Sequence, residues 1–358
     1  MSRVSATPYI EWAKLAPVCT YNLAASGLPP AAVQDIGGMP AEVPLHGDNA
    51  YGYAPLLDRI ARHHGVALSQ VVTTTGCSMA NYLALAALVE PGDEVLVERP
   101  TYEPLLLAAA HLGAAIKRFE RRAGHHFEIA AADVTAALTD RTRLIVLTNL
   151  HNPTSQSIPP DVLRAIGNAA DRVGARVLVD EVYLDAVFEA TPPSCVHLGP
   201  QFVATRSLTK VYGLPALRCG WILGDASLIT RAWRINDLIE NTRPFLMDLL
   251  AAQAFEHLPA LLARSRHLLD ENRRTLAAWA EGRDDIEIAV PAWGTTVCAR
   301  PLRTDAATLC ATARRDYDLA VVPGHFFELP DQIRIGLCAE PAIVREGLAR
   351  LGECLARG

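Results

Sequence analysis

Several features are scarce in this chain, and each scarcity excludes something. No uninterrupted apolar run approaches the ~20 residues that a helix needs to cross a bilayer, so no membrane partner is expected. There is no basic excess: 33 Lys and Arg stand against 39 Asp and Glu, a net charge of −6. Nucleic acid is therefore not an expected partner. The opening residues, Met1 to Pro8, lack the apolar core of a signal peptide, and a cytoplasmic protein is expected. The eight cysteines are scattered and form no Cys-x-x-Cys pair. They read as small buried hydrophobes in a reducing compartment. His63-His64 and His125-His126 lack spaced partners and read as surface residues rather than metal ligands. Internal repeats and low-complexity linkers are missing too. What remains is 358 residues, 50% hydrophobic and 20% charged. That is the composition of a soluble globular enzyme with one large and one small domain.

Apolar β-rich runs alternate with helical patterns through the middle of the chain. Val71–Thr75, Glu94–Glu98, Ala115–Phe119, Leu144–Thr148, Arg176–Val179 and Phe202–Thr205 read as strands. Amphipathic or apolar helices fall between most of them. This pattern predicts an α/β fold with a mostly parallel sheet covered on both faces. Ligands of such sheets bind outside the carboxyl ends of the strands. Ser78, Asn152, Asp180, Ser207 and Lys210 all fall there. Residues 1–45 are Pro-rich and irregular, carry Tyr9, Trp12 and Tyr21, and read as an arm packed on another domain or subunit. Within them, Ala25-Ser26-Gly27 has a second reading as a pocket border, where bare backbone at Gly27 approaches a ligand. Residues 46–240 form the expected large domain. Residues 241–358, helical and then α+β, form the expected small one.

Ser207-Leu208-Thr209-Lys210, with Arg218 eight residues on, is the chemically loaded stretch. Lysine amines form Schiff bases with carbonyls, and a serine with an arginine suits a phosphate. A lysine Schiff base plus a phosphate clamp describes the anchoring of pyridoxal 5'-phosphate (PLP). The other reading is a strand followed by a surface loop.

Eight motifs stand in order along the chain. They are Tyr-Gly-Tyr-x-x-Leu-Leu from Tyr51, Thr-Gly-Cys-Ser from Thr75, Arg-Pro-Thr-Tyr from Arg99, Asn-Pro-Thr-Ser from Asn152, Asp-Glu-Val-Tyr from Asp180, Ser-Leu-Thr-Lys from Ser207, Leu-Arg-Cys-Gly-Trp from Leu217 and Ile-Arg-Ile-Gly from Ile333. In this set the chain resembles the class I/II aminotransferases of PLP fold type I, the aspartate aminotransferase-like group. The resemblance implies a large domain with a seven-stranded-type sheet and a smaller α+β domain. It implies that Lys210 holds PLP as an internal aldimine and moves the proton between substrate and cofactor. Asp180 would pair with the pyridine nitrogen, Tyr183 and Asn152 with the ring's O3', and Tyr102 would stack on the ring. Gly76, Cys77, Ser78, Ser207 and Arg218 would hold the phosphate. Arg334 would take the substrate carboxylate in a bidentate grip, with Asn152 and Gly27 beside the substrate.

The implied function is transfer of an amino group from an L-amino acid to a 2-oxo acid by a ping-pong mechanism. A homodimer with shared active sites is implied as well. Rival readings are a β-lyase, a decarboxylase or a cyclising synthase on the same scaffold, and a non-catalytic ligand-sensing domain. The sequence also departs from the family pattern. Ser155 stands where the family has Gly. Where the family has a partner-subunit tyrosine that reaches the phosphate, the nearest match here is His46, with Tyr51 and Tyr53 a few residues away, and any one of the three is a candidate substitute. No second arginine is placed for an acidic side chain. Trp293, His325 and Phe326 are read either as the small-domain wall of the pocket or as hydrophobic core.

Overall fold

Seven short, valine- and leucine-rich segments assemble into one sheet in the computed structural model, which describes residues 6–357. They are β1 (Val71–Thr75), β2 (Glu94–Arg99), β3 (Ala115–Glu120), β4 (Thr142–Thr148), β5 (Arg176–Asp180), β6 (Phe202–Ser207) and β7 (Cys219–Leu223). Their spatial order is β1-β7-β6-β5-β4-β2-β3. All neighbours run parallel except β7, which is antiparallel to both β1 and β6. The mostly parallel α/β sheet expected from the sequence is present. Strand β7 was not expected, because Gly220 breaks its apolar run.

Side chains alternate across the sheet with the period of 2 that strands impose. Val72, Val95, Val97, Leu144, Val146, Leu178, Val203 and Ile222 face one helical layer, and Val71, Leu96, Ile145, Leu147, Val177, Val179, Ala204 and Trp221 face the other. Near-continuous apolar strands follow from burial on both faces.

A second, antiparallel sheet lies towards the C-terminus. Its strands β8 (Ile286–Ile288), β9 (Thr296–Pro301), β10 (Val322–Pro323) and β11 (Ile333–Gly336) are ordered β10-β11-β9-β8. Leu309, from the helix between β9 and β10, and Leu348 and Leu351, from the helix after β11, cover Val297 and Ile335 in its core. Three helices matter for the site: α1 (Pro8–Leu15), α2 (Gly76–Leu88) and α3 (Leu258–Ala280). Helix α3 spans both cores. Leu258 and Leu261 pack beneath the large sheet, and Leu268, Leu269 and Leu276 against the small one. Tyr21–Asn22 pairs in parallel with Leu319–Ala320 as a separate two-stranded ladder, and the Gly336 N–H donates to the Leu23 carbonyl, which ties the N-terminal segment to the small sheet. Gly336 lets that segment pass, since a Cβ there would collide with the Ala25 carbonyl. Among the described residues no single helix is long and apolar enough to cross a membrane.

One sequence expectation is corrected here. His64 is buried, its Nε2 accepts the Trp221 indole N–H at 3.2 Å, and burial pushes its pKa well down. It fell on the apolar face of its helix, which a pair-based reading of His63-His64 overlooks. His63, His125 and His126 are exposed, as expected.

A buried ion pair ties three strand ends together. Glu98, near the end of β2, meets Arg121, just beyond β3, at 2.9 Å, and both are almost wholly buried. Glu98 also accepts from the Thr148 backbone N–H at 2.7 Å and hydroxyl at 2.6 Å, at the end of β4. Burial raises the Glu98 pKa, and Arg121 and Thr148 hold it back. Removing one partner of such a pair costs about 3–5 kcal/mol, because the other is left buried and uncompensated. In Arg121→Met the folded-state pKa of Glu98 rises further. Between its unfolded and folded pKa values the native state alone then carries the proton, so stability falls as pH rises. Denaturant titrations should show a larger deficit for Arg121→Met at pH 8 than at pH 5.

Candidate active site

Strand β1 ends at Thr75, and α2 starts directly at Gly76 in the left-handed region with φ +80°. A side chain at Gly76 would press on the Arg218 guanidinium, whose Cζ would lie 2.9 Å away. A Cβ on Gly220 of β7 would collide with the Gly76 carbonyl carbon and lie 2.7 Å from the Cys77 nitrogen. Two bare residues thus open a cradle at a helix N-terminus, where free amides favour an anion. Ser78 is exposed in the first turn, and Ser207 pairs with Gly220 across the β6–β7 ladder. Arg218 is exposed, with φ 45°, and its Nη2 reaches the Thr75 carbonyl at 3.4 Å. Its own carbonyl accepts from Arg243 Nη1 at 3.1 Å, and Arg243 is locked by buried Asp248 at 2.7 Å. The cradle fits a phosphate dianion.

Beside the cradle lies a cavity of about 200 Å³, lined by the predicted Cys77, Ser78, Tyr102, Asn152, Asp180, Tyr183 and Lys210. Lys210 sits in the loop after β6, half-buried, with Nζ 3.4 Å from Ser26 Oγ. Tyr183 donates its hydroxyl to the same Ser26 Oγ at 2.9 Å. The facing Tyr183 oxygen raises the Lys210 pKa above its ordinary value, against the pull of burial. Gly27 lies along the lysine stem, and a Cβ there would be 3.2 Å from Lys210 Cδ.

Asp180 closes β5 at the carboxyl edge of the sheet and is buried. Its Oδ2 accepts from Asn81 Nδ2 at 2.8 Å, and its Oδ1 from the Val182 N–H at 3.0 Å and the Cys77 thiol at 3.5 Å. Burial raises its pKa from the ordinary aspartate value, and these hydrogen bonds restrain the rise. Thr205 in turn donates to Asn81 Oδ1, which fixes the amide's orientation.

Arg334 of β11 is fully buried. Its Nη1 donates to Asn152 Oδ1 at 3.1 Å, and its Nη2 to Tyr9 Oη at 3.1 Å and the Ala24 carbonyl at 2.9 Å. Its Nε has no partner, and among the described residues no carboxylate lies within 4 Å of it. Burial alone would weaken the charge, but the Tyr9 and Tyr183 oxygens keep it firmly ionised. The Asn152 N–H donates to Thr148 Oγ1 at 3.3 Å, linking this site to Glu98. Ser155 adopts φ 61°, a conformation that glycine takes freely, and its hydroxyl donates to the Thr296 carbonyl at 2.7 Å. The turn is thereby tied to the small sheet.

Three participants went unrecognised in the sequence. Tyr9 of α1 lay in an irregular, motif-poor stretch. Ser26 had been noted only as part of a possible pocket border. Asn81 left a usable signal, as a buried amide four positions after Cys77 in a mostly apolar helix. His325 and Phe326 lie outside the cavity lining, and Phe326 packs on Tyr9 and Trp12 at 5.8 and 5.5 Å. Trp293 packs against both cores. Tyr51 lies edge-on to Trp233 at 5.6 Å, and Tyr53 to Phe245 at 5.2 Å. His46 is exposed.

The cradle makes a specific demand on Gly220. Gly220→Ala should push the start of α2 outward, cost about 1–3 kcal/mol of stability, and weaken PLP binding by roughly tenfold or more, since one good charge-assisted contact is of that size. Equilibrium dialysis of the variant against PLP, alongside its melting temperature, checks both.

Residues 47–351 match the family described as aminotransferase class I and II. Capreomycidine synthase of Streptomyces vinaceus is 35% identical over 79% of this chain and 74% of its own length. An arginine–pyruvate transaminase of Pseudomonas aeruginosa is 26% identical over 87% of this chain and 82% of its own length. In shape, the chain superimposes on a PLP-dependent aminotransferase from Streptococcus suis with a TM-score of 0.93 and 24% identity, covering 100% of this chain and 99% of the other. With the lysine and the buried aspartate in one cavity beside the anion cradle, the chain belongs to the class I and II aminotransferase family, whose fold it has and whose cofactor is PLP.

Proposed function

We propose that this protein removes the α-proton of an L-α-amino acid lacking an acidic side chain, and that it does so as an aminotransferase passing the nitrogen to a 2-oxo acid. The observation that carries the reading is Arg334, a buried guanidinium with an unfilled Nε that shares Asn152 with the cavity holding the Lys210 amine. A planar fork of this kind takes a carboxylate in two parallel hydrogen bonds. Among the described residues no arginine lines the cavity itself, and Arg334 meets it through Asn152 and Tyr9, so no further arginine is placed for an acidic side chain, which counts against aspartate or glutamate as donor.

The remaining residues fit PLP. Gly76, Cys77, Ser78, Ser207 and Arg218 would hold its phosphate. Asp180 would pair with its ring nitrogen, Tyr183 and Asn152 would serve its phenolic oxygen, and Tyr102 would cover a ring face. When bound, the cofactor supplies an electron sink for the charge left at Cα. Lys210 supplies the base, since its amine is the titratable nitrogen in the cavity and carries the proton off and back. Burial raises the proton affinity of Asp180 and three donors oppose that rise, so a cationic ring nitrogen beside it would favour the carboxylate form. Helix α1 covers the cavity through Tyr9, Ile10 and Ala13 and limits access of water.

The 35% identity to capreomycidine synthase supports a second reading, ring closure after the same α-proton removal. Mixing holoenzyme with individual amino acids separates the two. Conversion to the pyridoxamine absorbance marks transamination, and its absence with consumption of the amino acid marks the second reading. Under either reading, borohydride reduction and peptide mapping should put the phosphopyridoxyl group on Lys210. Arg334→Ala should lose about 2–5 kcal/mol of transition-state binding, or roughly 30-fold to several thousand-fold in kcat/KM, while retaining PLP. Near-normal activity in that variant would move substrate recognition elsewhere.

We also propose a homodimer, which is typical of the family. Leu45 and Leu238 are 84% and 87% exposed, and Ile239 and Tyr51 are about half exposed, more apolar surface than scattered residues need. Sedimentation should give twice the chain mass, and a fully active monomer would overturn this.

A further inference from the structure

Tyr9 carries a donor that none of the described residues uses. Its oxygen accepts from Arg334 Nη2 at 3.1 Å. An arginine only donates, so the phenol's own proton points elsewhere. Among the described residues no acceptor takes it. The side chain is 8% exposed and lines the cavity that holds Lys210 and Asn152. Its orientation is set from several sides. Tyr102, Phe326 and Phe327 pack around the ring at 6.0, 5.8 and 5.2 Å, and the Tyr9 N–H donates to Glu103 at 2.9 Å. A buried, oriented hydroxyl with a spare donor beside an incompletely paired guanidinium is the arrangement that a second anion contact requires.

We propose that Tyr9 is the second donor of the substrate's carboxylate site. Its O–H takes the carboxylate oxygen nearest α1 while Arg334 supplies its charge and an unfilled N–H, so α1 reads the α-carboxylate directly. The inference rests on the assignment of Arg334 as carboxylate anchor. It names the ligand class as α-amino and 2-oxo monocarboxylates. A simple amine leaves the O–H unpaired and gains nothing from Tyr9.

The charged surroundings add a pH signature. Burial opposes ionisation of the phenol, but the charges of Arg334 and Lys210 and the Arg334 hydrogen bond outweigh it, with Glu103 acting the other way. Tyr183 and Tyr102 also face it across the cavity. Without the cofactor the phenol therefore ionises below its ordinary value, and with Lys210 engaged as a Schiff base the charge and hydrogen bond of Arg334 still favour ionisation. Once ionised, it loses the donor and repels a carboxylate.

The test is calorimetric binding of 4-methylpentanoate, a carboxylate without an amine, to holoenzyme between pH 7 and pH 10. Wild-type affinity should fall as pH rises. Tyr9→Phe should bind about 10-fold to 100-fold more weakly at pH 7, with the alkaline fall flattened. Affinity for 3-methylbutylamine, followed by its effect on the cofactor spectrum, should be unchanged. Equal losses for acid and amine would make Tyr9 a packing residue and overturn the proposal. So would an unchanged affinity and pH profile for the acid. Arg334→Ala is the control. Loss of acid binding there with none in Tyr9→Phe defeats only the present inference, whereas normal binding in Arg334→Ala defeats the anchor itself.

Discussion

A guanidinium with no carboxylate beside it organises this molecule. Burying an unpaired charge is costly, and the usual remedy is an acid at contact distance. At Arg334 the structure instead brings in neutral oxygens from three separate segments: Asn152 after β4, Ala24 in the N-terminal segment and Tyr9 on α1. The rings of Tyr9 and Phe327, 5.5 and 4.8 Å from the guanidinium, add their faces. The large sheet, the small sheet and the N-terminal segment therefore converge on one side chain. The arrangement retains the ion without neutralising it, as a site for an anionic ligand requires.

Charge is handled differently elsewhere. Glu98 and Arg121, and Arg243 and Asp248, are paired outright and buried. These pairs stand behind the site rather than in it. The first reaches Asn152 through Thr148, and the second supports the carbonyl of Arg218. Closed pairs thus fix the frame, while Arg334, Lys210 and the α2 amides keep unused capacity facing the cavity. Asp180 stands between these cases, since its donors are all neutral.

Much of this was legible in the sequence because turn chemistry is local. Asp180, Asn152, Ser207 and Lys210 follow strand-like runs, and strand ends are where a parallel sheet presents ligands. The glycines at 76 and 220 could be noticed, but not the contact between them, which depends on β7 entering the sheet antiparallel beside β1. Tyr9 escaped because nothing in a Pro-rich arm specifies what lies beneath it. His64 was misread because pairing with His63 drew attention away from helical periodicity. Asn81 could have been found by asking why a polar residue interrupts an apolar helix.

The insertion of β7 also bears on the order of assembly. The cradle exists only when Gly220 lies against Gly76, and these residues are joined through five intervening strands of the same sheet. Contacts of such long sequence separation form late, because loop closure must precede them. A nascent or partly folded chain therefore has no phosphate site, however complete its early β-α units are. The cofactor can recognise only the finished large sheet, and its binding energy adds to native stability rather than guiding the chain towards it.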